Sequence, residues 1–145
     1  MKITIGSDHG GFELKNEIKK ILADLNVEFD DVGTFDKNSV DYPDIAEKVC
    51  SAVKSGKSDK GIVLCGTGIG ISIAANKIHG IRCALCNDVY SAKMSRKHND
   101  ANVLAMGGRV IGFGPASEIV RAWIETDFEG GRHERRIKKI SDLEK

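Results

Sequence analysis

Short apolar runs alternate with amphipathic stretches along this chain, and that alternation restricts its fold more than any other feature. An apolar run followed by a helical stripe is the pattern of a β-strand feeding a covering helix, repeated into a parallel sheet. Lys2–Ser7 (KITIGS) reads as a first strand, after which Leu14, Ile18, Ile21, Leu22 and Leu25 share one helical stripe. Val27–Val32 reads as a second, weaker strand. Pro43 suits a helix start, with Ile45, Ala46, Val49 and Val53 as the buried face and Gly56 as the stop. Gly61–Cys65 (GIVLC) is a compact third strand, and Gly66–Gly70 leads into a helix through Asn76. Ile81–Leu85 is the fourth strand, with Asp88 placed to cap the next helix, and Val103–Met106 is the fifth. Gly114–Pro115 opens a helix with Ala116, Ile119, Val120, Trp123 and Ile124 facing inward. After Gly130–Gly131 a charged tail helix, Arg132–Lys139, has Ile137 and Ile140 as apolar anchors. The expected architecture is α/β: a doubly wound three-layer α/β/α sandwich on a five-stranded parallel sheet, in the order 2-1-3-4-5.

A length of 145 residues fits a single domain, 1–145, with a real core. Lys plus Arg total 22 against 21 acidic residues, a net charge of +1. That balance argues against a dedicated nucleic-acid binder, yet a few local cations could hold a small anion. No apolar run approaches the roughly 20 residues that cross a bilayer, so no membrane partner is expected. The opening MKITIGSDHGG lacks the long apolar stretch of a signal peptide. A cytoplasmic chain is expected, with Cys50, Cys65, Cys83 and Cys86 as free thiols.

In a doubly wound sheet, ligands sit beyond the carboxyl ends of the strands, where the strand order reverses. For the expected order that place lies between the first and third strands. Two unusual segments end those strands: Ser7-Asp8-His9-Gly10-Gly11 and Cys65-Gly66-Thr67-Gly68-Ile69-Gly70. Glycines between a strand and a helix let backbone N–H groups approach an anion, and a helix N-terminus adds partial positive charge. A tight turn would explain the glycines equally well. Neither a Gly-Lys-Ser/Thr phosphate loop nor a G-x-G-x-x-G dinucleotide fingerprint is present.

Cysteines in α/β cores are usually small hydrophobes, and Cys50 fits that reading. Cys65 ends a strand and faces a helix N-terminus, where a thiolate is favoured. Such a thiolate beside backbone donors can take a proton from carbon next to a carbonyl, while the donors hold the enediolate oxygen. Cys83 and Cys86 form a C-x-x-C without a second pair, and three residues apart on a strand they point to opposite faces. His98, with Asn99, follows the fourth helix and could be a charge-compensating cap or a functional group. His9 has the same two readings; His79 and His133 carry no pattern of their own. Arg132 and Arg136 lie one helical turn apart and could fork onto a phosphate, although a solvated basic face is the default for such a pair. Arg109, after Met106-Gly107-Gly108, is a weaker candidate of the same kind.

Together, SDHGGFELK, VDYPD, LCGTGIGISIAANK, GIRCAL, SRKHNDANVLAMGGR and FEGGRHERR resemble the ribose-5-phosphate isomerase B family, whose relatives include galactose-6-phosphate isomerase subunits. The resemblance implies a Rossmann-like fold and interconversion of aldose and ketose phosphates through an enediolate, without metal or cofactor. It implies Cys65 as the base, backbone N–H groups across Gly66, Thr67, Gly68, Ile69 and Gly70 as enediolate stabilisers, and His98 as the acid that opens the sugar ring. Asn99, Asp8 and His9 would contact substrate, His9 toward its phosphate, and Arg109, Arg132 and Arg136 would neutralise that phosphate. It further implies a homodimer, alone or within a tetramer, whose active sites are shared between subunits. The expected reaction is ribose 5-phosphate to ribulose 5-phosphate. The nearest rival is a hexose-phosphate isomerase acting on allose or galactose 6-phosphate. A phosphate-binding module without catalysis would leave Cys65 and His98 idle, and a thiol-redox protein would need a second cysteine near Cys65.

Overall fold

The computed structural model describes residues 1–145. β1 (Lys2–Ser7) passes through a 3₁₀ turn at His9–Gly11 into α1 (Phe12–Asp24), and β2 (Glu28–Asp31) leads to α2 (Tyr42–Lys54). β3 (Lys60–Cys65), α3 (Ile69–Asn76), β4 (Cys83–Leu85), α4 (Val89–Lys97) and β5 (Val103–Gly107) follow, then α5 (Phe113–Glu125) and α6 (Arg132–Asp142). The five strands form one parallel sheet in the order β2-β1-β3-β5-β4.

The three-layer α/β/α architecture matches the sequence expectation, but the last two strands exchange places. β5 (VLAMG) is buried along its whole length, so it needs neighbours on both sides. β4 is only three residues long and partly exposed, which suits an edge. It is shorter than expected because Arg82 donates its N–H to the Asn102 side chain at 2.8 Å instead of joining the ladder. The tail helix runs beyond Lys139 to Asp142.

Right-handed crossovers then decide which face each helix covers. The moves from β1 to β2 and from β4 to β5 run one way along the sheet; those from β2 to β3 and from β3 to β4 run the other. α1 and α4, joined by α5, therefore cover one face, and α2 and α3 the opposite one. The side-chain alternation of the strands agrees. Ile62, Leu64, Leu104 and Met106 pack with Leu14, Ile18 and Trp123 on the first face. Val63, Cys65, Val103 and Ala105 pack with Val49, Cys50 and Ile71 on the second. Each fully buried Leu or Ile of this kind contributes about 1.5–3 kcal/mol. Cys86 and Cys83 fall on opposite faces, and burial pushes the Cys86 and Cys50 thiols up to about 11.

Two buried cations anchor connections. Lys15, fully enclosed on the inner side of α1, meets the Asp31 carboxylate at 2.8 Å and the Thr34 carbonyl, and so fixes the segment between β2 and α2. Arg96 at the end of α4 donates to the Ala101 carbonyl at 2.7 Å, the Asp100 carboxylate at 2.9 Å and the Thr126 carbonyl at 3.2 Å. Its guanidinium and the Lys60 ammonium lie 6.0 Å and 5.3 Å from the centre of the Trp123 ring.

Candidate active site

β1 and β3 are neighbours, so the segments that end them meet at the carboxyl edge of the sheet. Asp8 caps the 3₁₀ turn, its carboxylate accepting from Gly10 N–H at 2.8 Å and Gly11 N–H at 3.3 Å. The two segments touch backbone to backbone. A Cβ on Gly10 would lie 2.8 Å from the Gly66 nitrogen, so only glycine permits this approach.

Cys65, the last residue of β3, points to the face covered by α3. Gly68 has φ of 79°, in the left-handed region, and a Cβ there would come within 2.7 Å of the Met106 carbonyl carbon. This glycine turn aims the Gly68 N–H at the Cys65 sulfur, 3.1 Å away. A donor so placed stabilises negative charge on sulfur. Thr67 Oγ1 accepts from the Ile69 N–H at 3.2 Å, tightening the entry to α3. The first amides of a helix lack acceptors within it; with the Gly68 and Ile69 N–H groups taken by Cys65 and Thr67, the Gly70 N–H at the start of α3 is left to meet an anion.

Asp8, Tyr42, Cys65, Gly66, Thr67, Ile69 and Gly70 line an open cleft of about 380 Å³. Cys65 is only 5 % exposed; its sulfur rests against the core on one side and opens on this cleft on the other. Arg109 approaches from the loop after β5: its N–H donates to the Gly66 carbonyl at 2.9 Å, and its guanidinium lies over Gly66. His9 stands beside the cleft, where its Nδ1 accepts from the Val40 N–H at 3.3 Å. That bond leaves Nε2 as the protonated nitrogen of a neutral His9 ring.

The other expected site residues lie elsewhere in the chain. α4 and α5 run antiparallel to the strands, so His98, Asn99, Arg132 and Arg136 fall at the amino edge of the sheet. Gly61 pairs with Val103 at that edge and Cys65 with Gly107 at the other, a rise of about 13 Å along β3. At the amino edge, His98 stacks on His133 with ring centres 4.4 Å apart and 16° between planes. Burial first, then the nearby His98 and Arg132, hold His133 below the ordinary imidazole value. Asn99 borders a separate cavity of about 580 Å³ between β4 and the end of α6, which is larger than the cleft and is lined also by His79, Cys83 and Glu144.

Sequence reasoning overlooked Tyr42 and His133. Tyr42 follows Asp41 at the start of α2, and its ring fills the space a Cβ on Gly70 would need, 2.6 Å from Cζ. Only the path of the preceding connection brings it to the cleft. No spacing rule marks His133 as the neighbour of His98.

Residues 3–140 match the family described as Ribose/Galactose Isomerase. The ribose-5-phosphate isomerase B of Escherichia coli is 51% identical over 99% of this chain and 96% of its own length. The structure of Clostridium thermocellum ribose-5-phosphate isomerase B superposes with a TM-score of 0.98 at 57% identity, covering 99% of this chain and 97% of that one. The ribose 5-phosphate isomerase from Thermotoga maritima superposes with a TM-score of 0.96 at 51% identity, covering 98% of each chain.

Proposed function

The chain belongs to the ribose/galactose isomerase family, and on that footing we propose that it interconverts ribose 5-phosphate and ribulose 5-phosphate, with Cys65 as the base. The observation that carries this reading is the Cys65 sulfur, held by the Gly68 N–H at 3.1 Å in a cleft that Asp8 and the start of α3 also line.

His98 protonates the ring oxygen while solvent water takes the proton of the C1 hydroxyl, which opens the furanose to the aldehyde. The Cys65 thiolate then takes the proton from C2, and the electron pair moves through C1 onto O1. The amides of Gly66, Thr67, Gly68, Ile69 and Gly70 hold the resulting enediolate. The thiol returns its proton to C1, and the proton on O2 passes to O1, leaving the ketose. No electrons leave the substrate, so the reaction calls for no redox group. Arg109, Arg132 and Arg136 balance the phosphate, and Asp8, His9 and Asn99 orient the sugar.

The His98, Arg132 and Arg136 that serve a given Cys65 come from a second copy of the chain, while Arg109 comes from the same one. Support for this is the separation of the two sets to opposite edges of one sheet. A further support is the face of α3 beside the cleft, where Ile69 and Ile73 are 52% and 56% exposed and await a covering surface. With four free thiols the enzyme suits a reducing compartment, the cytoplasm.

The test is turnover of ribose 5-phosphate by the purified protein, followed by ketose absorbance beside allose and galactose 6-phosphates. Ribulose 5-phosphate formation that exceeds six-carbon turnover is expected. Absence of any ketose from the pentose would remove the reading.

A further inference from the structure

Two ionisable groups next to His98 take no part in the reaction above. Glu129 lies in the segment between α5 and α6, where its N–H donates to the Lys97 carbonyl at 3.1 Å. His133 sits in the first turn of α6. The ligand atoms of His98, Glu129 and His133 all lie within 4.8 Å of one another. His133 is 5% exposed, and its Nε2 is buried with no hydrogen-bond partner. A buried ring nitrogen left unpaired is costly, and such orphans call for an occupant.

We infer that His98, Glu129 and His133 form a site for a zinc-type divalent ion, and that filling it inhibits the enzyme by immobilising His98. The binding half of this rests on the three residues alone, and the inhibitory half rests on the ring-opening role of His98. Two imidazoles and one carboxylate suit a four-coordinate transition metal with one position open. A single carboxylate is a poor set for calcium or magnesium, which prefer oxygen ligands throughout.

The ligands must close up to bind. Zinc with bonds near 2.0 Å sets neighbouring ligand atoms about 3.3 Å apart, closer than the present limit. The near-parallel imidazoles must also converge, so one ring has to turn. His133 is held by burial, whereas His98 is half-buried and Glu129 is exposed, so these two make the movement. Arg132 and Arg136 on the same helix oppose a cation. The expected affinity is on the order of micromolar, far below that of structural zinc sites.

Cobalt(II) is the spectroscopic probe, added to the Cys65→Ala protein so that no thiolate at the cleft contributes. Saturable visible absorption of a four-coordinate ion, displaced by zinc and lost in the Glu129→Gln background, is expected. No saturable absorption, or absorption unchanged by Glu129→Gln, overturns the site. In the protein with native Cys65, zinc should inhibit ribose 5-phosphate turnover, and Glu129→Gln should keep basal turnover while needing at least about tenfold more zinc for the same inhibition. Cobalt binding without zinc inhibition overturns the inhibitory half. A protein that fails to isomerise ribose 5-phosphate still reports the site through cobalt, which keeps the two failures apart.

Discussion

The Cys65 sulfur meets one backbone donor and one cleft, and removing it should separate chemistry from binding. Cys65→Ala is expected to lower kcat by about 10³-fold and stop proton exchange at C2, with KM little changed. Retained exchange in deuterated water would assign the base elsewhere. Lys60 offers a test of stability. Burial, with repulsion from Arg96 second, holds its ammonium down to about 8, against 10.5 for the free side chain. Between those values the unfolded chain binds the extra proton, so stability rises as pH climbs from about 8 to 10.5. Urea midpoints across that range should increase more for the native chain than for Lys60→Met. Parallel curves would mean that Lys60 keeps its ordinary titration.

At the scale of elements, Arg96 joins the end of α4 to the loop before β5 and to the end of α5. Arg96→Met leaves the Ala101 and Thr126 carbonyls without that donor, and should cost about 3 kcal/mol in denaturant unfolding. Turnover should fall with it, since His98 is two residues away; an unchanged unfolding midpoint would show the anchor to be idle. Much of this level was legible in the chain. The stripe Leu14, Ile18, Ile21 and Leu22 is buried as its spacing required, and Asp88 caps α4 through the Ser91 N–H at 2.7 Å. The meeting of Asp8 with Cys65 follows from β1 lying beside β3, which holds in both the expected and the observed strand order. The exchange of β4 and β5 was missed because adjacency in sequence was taken for adjacency in space, although the unbroken apolar run of β5 already marked an interior strand. Tyr42 and Lys15 were beyond reach for a different reason. Their places depend on the irregular segment between β2 and α2, whose path no periodicity encodes.

For the molecule as a whole, a site divided between copies has a measurable signature. Cys65→Ala and His98→Asn should each be nearly inactive alone. Mixed and allowed to re-associate, they should recover about a quarter of native turnover, since half of random dimers are mixed and each mixed dimer owns one intact site. No recovery after verified exchange would mean that each chain completes its own site. The amino edge of the sheet has its own consequence. Trp123 is the only tryptophan in the chain, fully enclosed between Lys60 and Arg96 and remote from the cleft. Its fluorescence therefore follows the melting of the interior, so one optical signal tracks the integrity of the fold.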